Sequence, residues 1–440
     1  MAREAVDRRN PSRRSVLLGA LAASTALTHP ARAQSVALQV VTSFPEELTT
    51  RYEQEFEKAH PGAHVQFVWK QSRDALEYLN QPNQSGADVY WAPAPNNFPT
   101  LRDRGALRKY AVDRAVLPGK LNDLQLSDPA GFYEAYDIAG YGVAMNPGVM
   151  KQRGLQPPRA WRDLAAVAYA GQIVMPIASK AGFSPALYDI VLQSEGWEKG
   201  WALLSEIAGN AELLASGHAP IGKVAEGQSP LSLTIDFLAL QAQANGRPVE
   251  FVYPERTAFL PGHVAIMAAT QHYDIAKAFV DFVLSKQGQK LMMETDSSRH
   301  PARPDAYEAK PQGILDPFSL PRSVIAAYDA EIGRRRPGLI VTLFDIALTE
   351  RHDKIVALWR AIHAAELKHD GGEGREAVAE ARRLAGLTPV AAKDAADIAF
   401  VERFANRDKI DPALTQKWRT DLDAAQTKAA KLLARTGAAP

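Results

Sequence analysis

LSLTIDFLALQAQANG, Leu231 to Gly246, changes its hydrophobic period at a single residue. Leu231, Leu233 and Ile235 alternate with Ser232 and Thr234, the two-residue period of a strand. Phe237, Leu238, Leu240, Gln241 and Ala244 then fall at helical spacing, and Asn245-Gly246 is a helix stop. The boundary is Asp236, the one charge in an otherwise apolar run. A strand handing over directly to a helix is the unit of an open α/β sheet, where ligands sit beyond the carboxyl ends of strands. Two roles for Asp236 follow. It can cap the helix, contributing about 0.5–2 kcal/mol, or touch a ligand, and a carboxylate has lone pairs for both.

The same alternation fills the preceding chain. LQVVTS (Leu38 to Ser43) reads as a strand, and Glu46 to Ala59, with Leu48, Tyr52 and Phe56 at i, i+4, i+8, as a helix. HVQFVW (His64 to Trp69) is a second strand, SRDALEYL a helix capped by Ser72, and ADVYWA (Ala87 to Ala92) a third strand. Strand, helix, strand, helix, strand implies a parallel sheet covered by helices. A second set follows. GYGVAMN (140–146), QIVMP (172–176), PVEFVYPE (248–255) and HVAIMAA (263–269) read as strands. LYDIVLQSEG, Trp197 to Ala208 and the long DIAKAFVDFVLSKQGQKLMM read as helices. Beyond about residue 310 the pattern is helical, with an apolar stripe from Leu343 to Ile362, a Gly371-Gly372 break and helices over Glu376–Leu387 and Leu414–Leu433. Arg334-Arg335-Arg336 reads as a solvated turn, and His363 as a packed rather than ligating residue.

At 440 residues the chain exceeds one compact core, and 46% hydrophobic with 23% charged residues describes an ordinary globular protein. Its start combines charged residues, Ser12-Arg13-Arg14-Ser15-Val16-Leu17, a short apolar run and Ala31-Arg32-Ala33. That order is a twin-arginine export signal, with cleavage expected after Ala33. Removal takes six arginines (3, 8, 9, 13, 14, 32) against Glu4 and Asp7, lowering the formal charge from +1 to −3. No basic start then remains to hold nucleic acid or anionic lipid. The chain has no cysteine, so it contains neither a disulfide nor a lipid-anchoring thiol. No later apolar run reaches the roughly 18 residues of a span, so the mature chain is expected free in the periplasm.

The exported start, VVTSFPEELTTRYEQEFEKAHPGAHVQFVWKQSRDAL, GADVYWAPAPNNFPTL, YGVAMNP, VYPERTAFLPGHVAIM and AKAFVDFVLSKQGQKLM resemble the solute-binding proteins of ABC importers. The branch is that of ferric-ion and organic-phosphate binders. The resemblance covers about residues 36 to 300, and the tail is matched only by the longer members. It implies a type II periplasmic-binding-protein fold: two α/β lobes with mixed, mainly parallel sheets and two crossover strands, plus a C-terminal helical extension. Lobe one would hold 34–137 and 256–305, lobe two 138–255, the extension 306–440, and the signal 1–33. Hinge closure would trap the ligand between the lobes.

Ligand-site candidates are the residues at strand ends: Ser43, Ser72, Arg73 and Trp91 in lobe one, and Ser179, Lys180, Ser184 and Asp236 in lobe two. Glu255 joins them at the second crossover. MPIASKAGFSPALY places Ser179, Lys180 and Ser184 before a helix N-terminus, where free N–H groups and the dipole suit an anion. Ferric members place an adjacent tyrosine pair at the position of Ile235-Asp236-Phe237, and this chain has no Tyr-Tyr pair. Hard Fe³⁺ prefers phenolate oxygen. The resemblance therefore implies a metal-free and cofactor-free site for a sugar phosphate or phosphoglycerate, delivered to permease and ATPase subunits. The alternatives are a ferric-ion carrier and a ligand sensor docking a membrane receptor. In the sensor case, deletion after about 310 would abolish signalling and leave ligand affinity unchanged. Gly217-His-Ala-Pro-Ile-Gly222-Lys223 imitates a nucleotide loop but lacks the following Ser or Thr. No catalytic constellation appears, so an enzyme is not expected.

Overall fold

The computed structural model describes residues 36–437 other than 295–296, 312–313, 326 and 369–371, with the backbone alone described at 72, 73, 309, 372 and 373. The expected export signal lies outside the described residues. The chain begins with β1 (Val36–Thr42), α1 (Glu46–Ala59), β2 (Ala63–Trp69), α2 (Ser72–Leu79) and β3 (Val89–Ala92). β1 is parallel to β2 on one side and to β3 on the other. α1 buries Leu48, Tyr52 and Phe56, the stripe its period predicts. Ser72 proves to be the first helical residue of α2, and Gln71 holds the N-cap position without a side-chain bond.

The organising strand is β4 (Glu134–Met145), twelve residues against the seven predicted. After it come β5 (Ile173–Pro176), α3 (Ser184–Glu195), α4 (Trp197–Gly209), β6 (Ala211–Leu214), β7 (Leu231–Ile235), α5 (Asp236–Ala244) and β8 (Glu250–Val252). The chain returns through β9 (Phe259–Ile266), α6 (Tyr273–Leu284), α7 (Lys286–Leu291) and β10 (His300–Pro301). The strands form one sheet in the order β2-β1-β3-β9-β4-β7-β5-β6, and β8 and β10 also pair with β4. β4 changes partners at its middle. Through Gly140 it pairs with β9 and β10, and from Tyr141 with β7 and β8. The sheet thus has two halves, each with its own core. Trp91, Tyr52, Phe56 and Phe279 anchor the first, and Trp161, Tyr188, Leu204 and Leu233 the second.

Gly140 marks the switch for a steric reason. A Cβ there would lie 2.6 Å from the Phe259 ring and 3.0 Å from Asp236 Oδ2, so backbone and carboxylate meet only over glycine. The long helix read from DIAKAFVDFVLSKQGQKLMM is two helices. Ser285 leaves helical conformation at ψ 159 and its hydroxyl accepts the Gly288 N–H, capping α7.

The tail contributes α8 (Pro337–Phe344), a π-helical turn at Asp345–Thr349, α9 (His352–Glu366), α10 (Gly372–Ala385) and α11 (Pro412–Arg435). Gly372 opens α10, and Gly371 lies outside the described residues. These helices share one continuous core with the second half-sheet. Trp359 is 1% exposed, its indole N–H donates to Ser205 Oγ (3.0 Å), and a Cβ on Gly209 would strike it at 2.7 Å. Phe344 stacks on Tyr188 at 4.5 Å. His363 is packed, Nε2 2.8 Å from Glu206, and Arg382 grips the same buried carboxylate at 2.6 and 2.7 Å. The reading of Arg334–Arg336 as a solvated turn needs correction, because Arg334 and Arg335 end a short helix, Ala330–Arg335. Arg336 is buried, 3.5 Å from Asp189 and over the Trp197 ring, while Arg334 and Arg335 pair with Glu331. The tail's apolar faces complete this core.

Candidate ligand cleft and hinge

The C-terminal ends of β1, β3, β5 and β7 set the candidate residues. Ser43 follows β1 and is half-buried. Ser72 and Arg73 open α2 beyond β2, and their side chains lie outside the described ones. Trp91 is 0% exposed, packed against Tyr52 (4.6 Å), Phe44 (4.8 Å), Tyr136, Phe279 and Phe67. Trp91 thus serves the core and has no face for a ligand, which corrects its assignment. Lys180 is exposed beyond β5, whereas the Ser179 hydroxyl donates to Asp345 Oδ1 (2.9 Å), whose other oxygen accepts from Arg407 (2.9 Å). The tail thereby places a carboxylate at the loop read as an anion seat. Ser184 is fully buried in the first turn of α3, and its hydroxyl has no hydrogen-bond partner among the described residues. Glu255 is exposed and borders an open depression of 540 Å³ with Gln156–Arg159, Val252 and Tyr253.

Asp236 answers the question its position raised. It is the first residue of α5, 1% exposed, and its Oδ1 accepts the neighbouring Phe237 N–H at 2.7 Å. Oδ2 accepts the Gly140 N–H (2.6 Å) and the Tyr253 hydroxyl (3.1 Å), and His300 Nε2 lies 3.4 Å away. Tyr253 OH is also 3.0 Å from His300 Nε2. One carboxylate therefore ties β4, the segment after β8, and β10, where the halves of the sheet meet. Its environment faces the hinge rather than an open cleft. Burial pushes Asp236 up to about 7, while Gly140, Tyr253 and Phe237 as donors hold it back. Burial drives His300 down to about 4.

Sequence reading missed Arg299, Phe44, Phe237, Tyr253 and His300. Arg299 Nη1 donates to Asp137 Oδ2 at 2.8 Å, and the guanidinium lies over both Phe44 (5.0 Å) and Phe237 (4.2 Å). Burial raises Asp137, and Arg299 opposes that rise. The cue was slight: an Arg-His pair after the AKAFVDFVLSKQGQKLM helix, outside any periodic element. Among the described residues, one trio of metal-ligand type is close enough to chelate, Glu53, Glu57 and His64, on α1 and β2.

A sheet whose central strand serves two halves, with strand ends converging on a tied hinge, defines a two-lobed solute-binding protein of the periplasmic type II fold. Residues 98–318 match the family described as bacterial extracellular solute-binding protein, and the chain belongs to that family. It is 23% identical over 385 residues to the phosphoglycerate transport regulatory protein PgtC of Salmonella typhimurium, covering 86% of this chain and 91% of the relative. Two of the solved structures that share the fold illustrate the likeness. AfuA from Actinobacillus pleuropneumoniae with exogenous fructose-6-phosphate bound superposes with TM-score 0.55 at 19% identity, covering 73% of this chain and 97% of AfuA. Iron-bound HitA from Pseudomonas aeruginosa gives TM-score 0.55 at 19%, covering 69% and 99%. Family and fold are those of solute binders delivering small ligands to ABC permeases. No helix among the described residues is long and apolar enough to cross a membrane.

Proposed function

We propose that the protein captures a small organic anion, a sugar phosphate or phosphoglycerate, between its lobes and passes it to the permease and ATPase subunits of an importer, after twin-arginine export to the periplasm. The observation that carries this reading is the donor chemistry at the interlobe strand ends. Ser43, Lys180 and the Arg299 guanidinium offer hydroxyl and cationic donors, with Ser72 and Arg73 adjacent in the chain at the end of β2. The relative's transport role and the fructose-6-phosphate of AfuA agree with it. A phosphate held by such groups reaches micromolar affinity, about −8 kcal/mol.

A ferric reading, prompted by HitA, fits the hinge less well. Burial and Asp236 raise Tyr253 and Tyr141 above the ordinary phenol value, which opposes a ready phenolate. Titration calorimetry at pH 7 with 3-phosphoglycerate, fructose 6-phosphate and ferric citrate tests the choice. Heat with a phosphate ligand and a colourless protein with iron are expected. Heat from neither phosphate, with a visible phenolate-to-iron band, would reverse the assignment. A second reading, a ligand sensor that docks a membrane receptor, draws on the helical extension built into lobe two and on the regulatory name of the relative.

A further inference from the structure

Arg299 stands in the short segment between α7 and β10, and two aromatic rings from opposite sides of the cleft enclose it. Phe44 follows the end of β1 in lobe one, and Phe237 is the second residue of α5 in lobe two. The guanidinium carbon lies 5.0 Å from the first ring centre and 4.2 Å from the second, and the side chain is 11% exposed. Its one hydrogen-bond partner among the described residues is Asp137 Oδ2, at 2.8 Å. A guanidinium carries five N–H donors in a planar fork. Asp137 takes up one of these donors, which leaves others for an incoming partner. The side chain keeps partial access to solvent, so an oxyanion reaching those donors would gain charge-assisted bonds. Parting of the lobes would carry Phe237 away and open one face of the group, so a ligand can enter before closure.

The geometry points to Arg299 as the side chain that reads the ligand's oxyanion, a phosphate or a carboxylate, with Asp137 holding the fork in place between Phe44 and Phe237. The assignment rests on the anion reading above and deepens it. Asp137 is suited to the supporting part. It is buried on β4, and its other oxygen accepts the Gly262 N–H at 2.9 Å, which fixes the carboxylate whether or not ligand is present.

The test titrates the mature protein and two variants, Arg299→Lys and Asp137→Asn, with 3-phosphoglycerate, fructose 6-phosphate and inorganic phosphate, alongside thermal melts. Lysine keeps the charge but loses the fork, so affinity for the bound anion should fall about 10- to 100-fold, the value of a charge-assisted bond. Asp137→Asn keeps an acceptor but loses the charge-assisted contact that positions the fork, and should weaken anion binding several-fold at an unchanged melting temperature, which a general loss of structure would not do. Wild-type binding that Arg299→Lys leaves unchanged would overturn the assignment alone. Absence of anion binding by the wild type would overturn both the anion reading and this assignment. Should the lysine variant not fold, Asp137→Asn decides: weaker binding at an unchanged melting temperature supports the role, and any other result overturns it.

Discussion

The two lobes begin from the same strand–helix grammar and finish their cores differently. Lobe one closes on itself. Its return segment supplies α6, and Phe279 and Phe282 seal the aromatic cluster around Tyr52, Phe56 and Trp91. Lobe two has no such return. α3 and α4 are apolar on their outer faces and are covered by α8, α9 and α10 of the extension, with Trp359, Phe344 and the Glu206–His363–Arg382 cluster between them. A lobe of this fold does not have to be complete in itself, because apolar surface can be buried by chain from anywhere.

The largest effect should come from removing residues after 310. Lobe two would lose its helical cover, and lobe one only the edge packing of Ile314, Phe318, Leu320 and Ile325. Hydrogen exchange should then show protected amides in β1–β3 and fast exchange in α3 and α4, and a truncated chain with equal protection in both lobes would break the comparison. Within the intact chain, Trp359→Ala should cost about 3–5 kcal/mol in urea unfolding, read against Trp91→Ala as the matching deletion in lobe one.

Between the lobes, Asp236 and His300 should pull in opposite directions with pH. Asp236 has a native value of about 7, above its ordinary one, so its contribution is full at low pH and is lost as pH rises from about 4 to 7, by roughly 4 kcal/mol. His300 is held neutral, near 4, so its contribution is full above about 6.5 and is lost as pH falls toward 4, by roughly 3 kcal/mol. Asp236→Asn should therefore become more acid-sensitive than the parent, and His300→Asn more alkali-sensitive. Melting temperatures from pH 4 to 8 check both, and two variants that parallel the parent would remove these ionisations from the hinge. A smaller loss, about 1–3 kcal/mol, is expected for Gly140→Ala, whose methyl meets Phe259 and Asp236. Smallest, at about 1 kcal/mol, is Ser285→Ala, which deletes the cap separating α6 from α7.

Much of the fold was legible because period and punctuation agree. The change from LSLTI to DFLALQAQA marks β7 and α5 to the residue, and Leu48, Tyr52 and Phe56 give α1 its buried face. The length of β4 was not legible, since EAYDIAGYGVAM is buried nearly throughout and shows no alternation. The site was less readable than the fold. Strand-end position selects Ser43, which is half-buried, and Lys180, which is exposed, but it cannot tell a side chain that turns outward from one that turns in. Trp91 turns into the core and Asp236 into the hinge. Arg299 escaped because its meaning depends on two rings and a carboxylate more than fifty residues away in sequence, and the Asp345 contact to Ser179 because it joins positions far apart in the chain.

The chain passes between the lobes once more after β10. Residues near Phe318 and Leu320 pack in the first lobe, the Arg256 N–H donates to Ser323 O, Ile325 bridges to Thr257, and Tyr328 donates to Asp189 in the second. Three covalent connections at the joint should resist twisting more than two would. The unliganded molecule should accordingly visit a narrower range of mutual orientations, so that gripping a solute sacrifices less rotational disorder and a larger share of the contact energy appears as affinity.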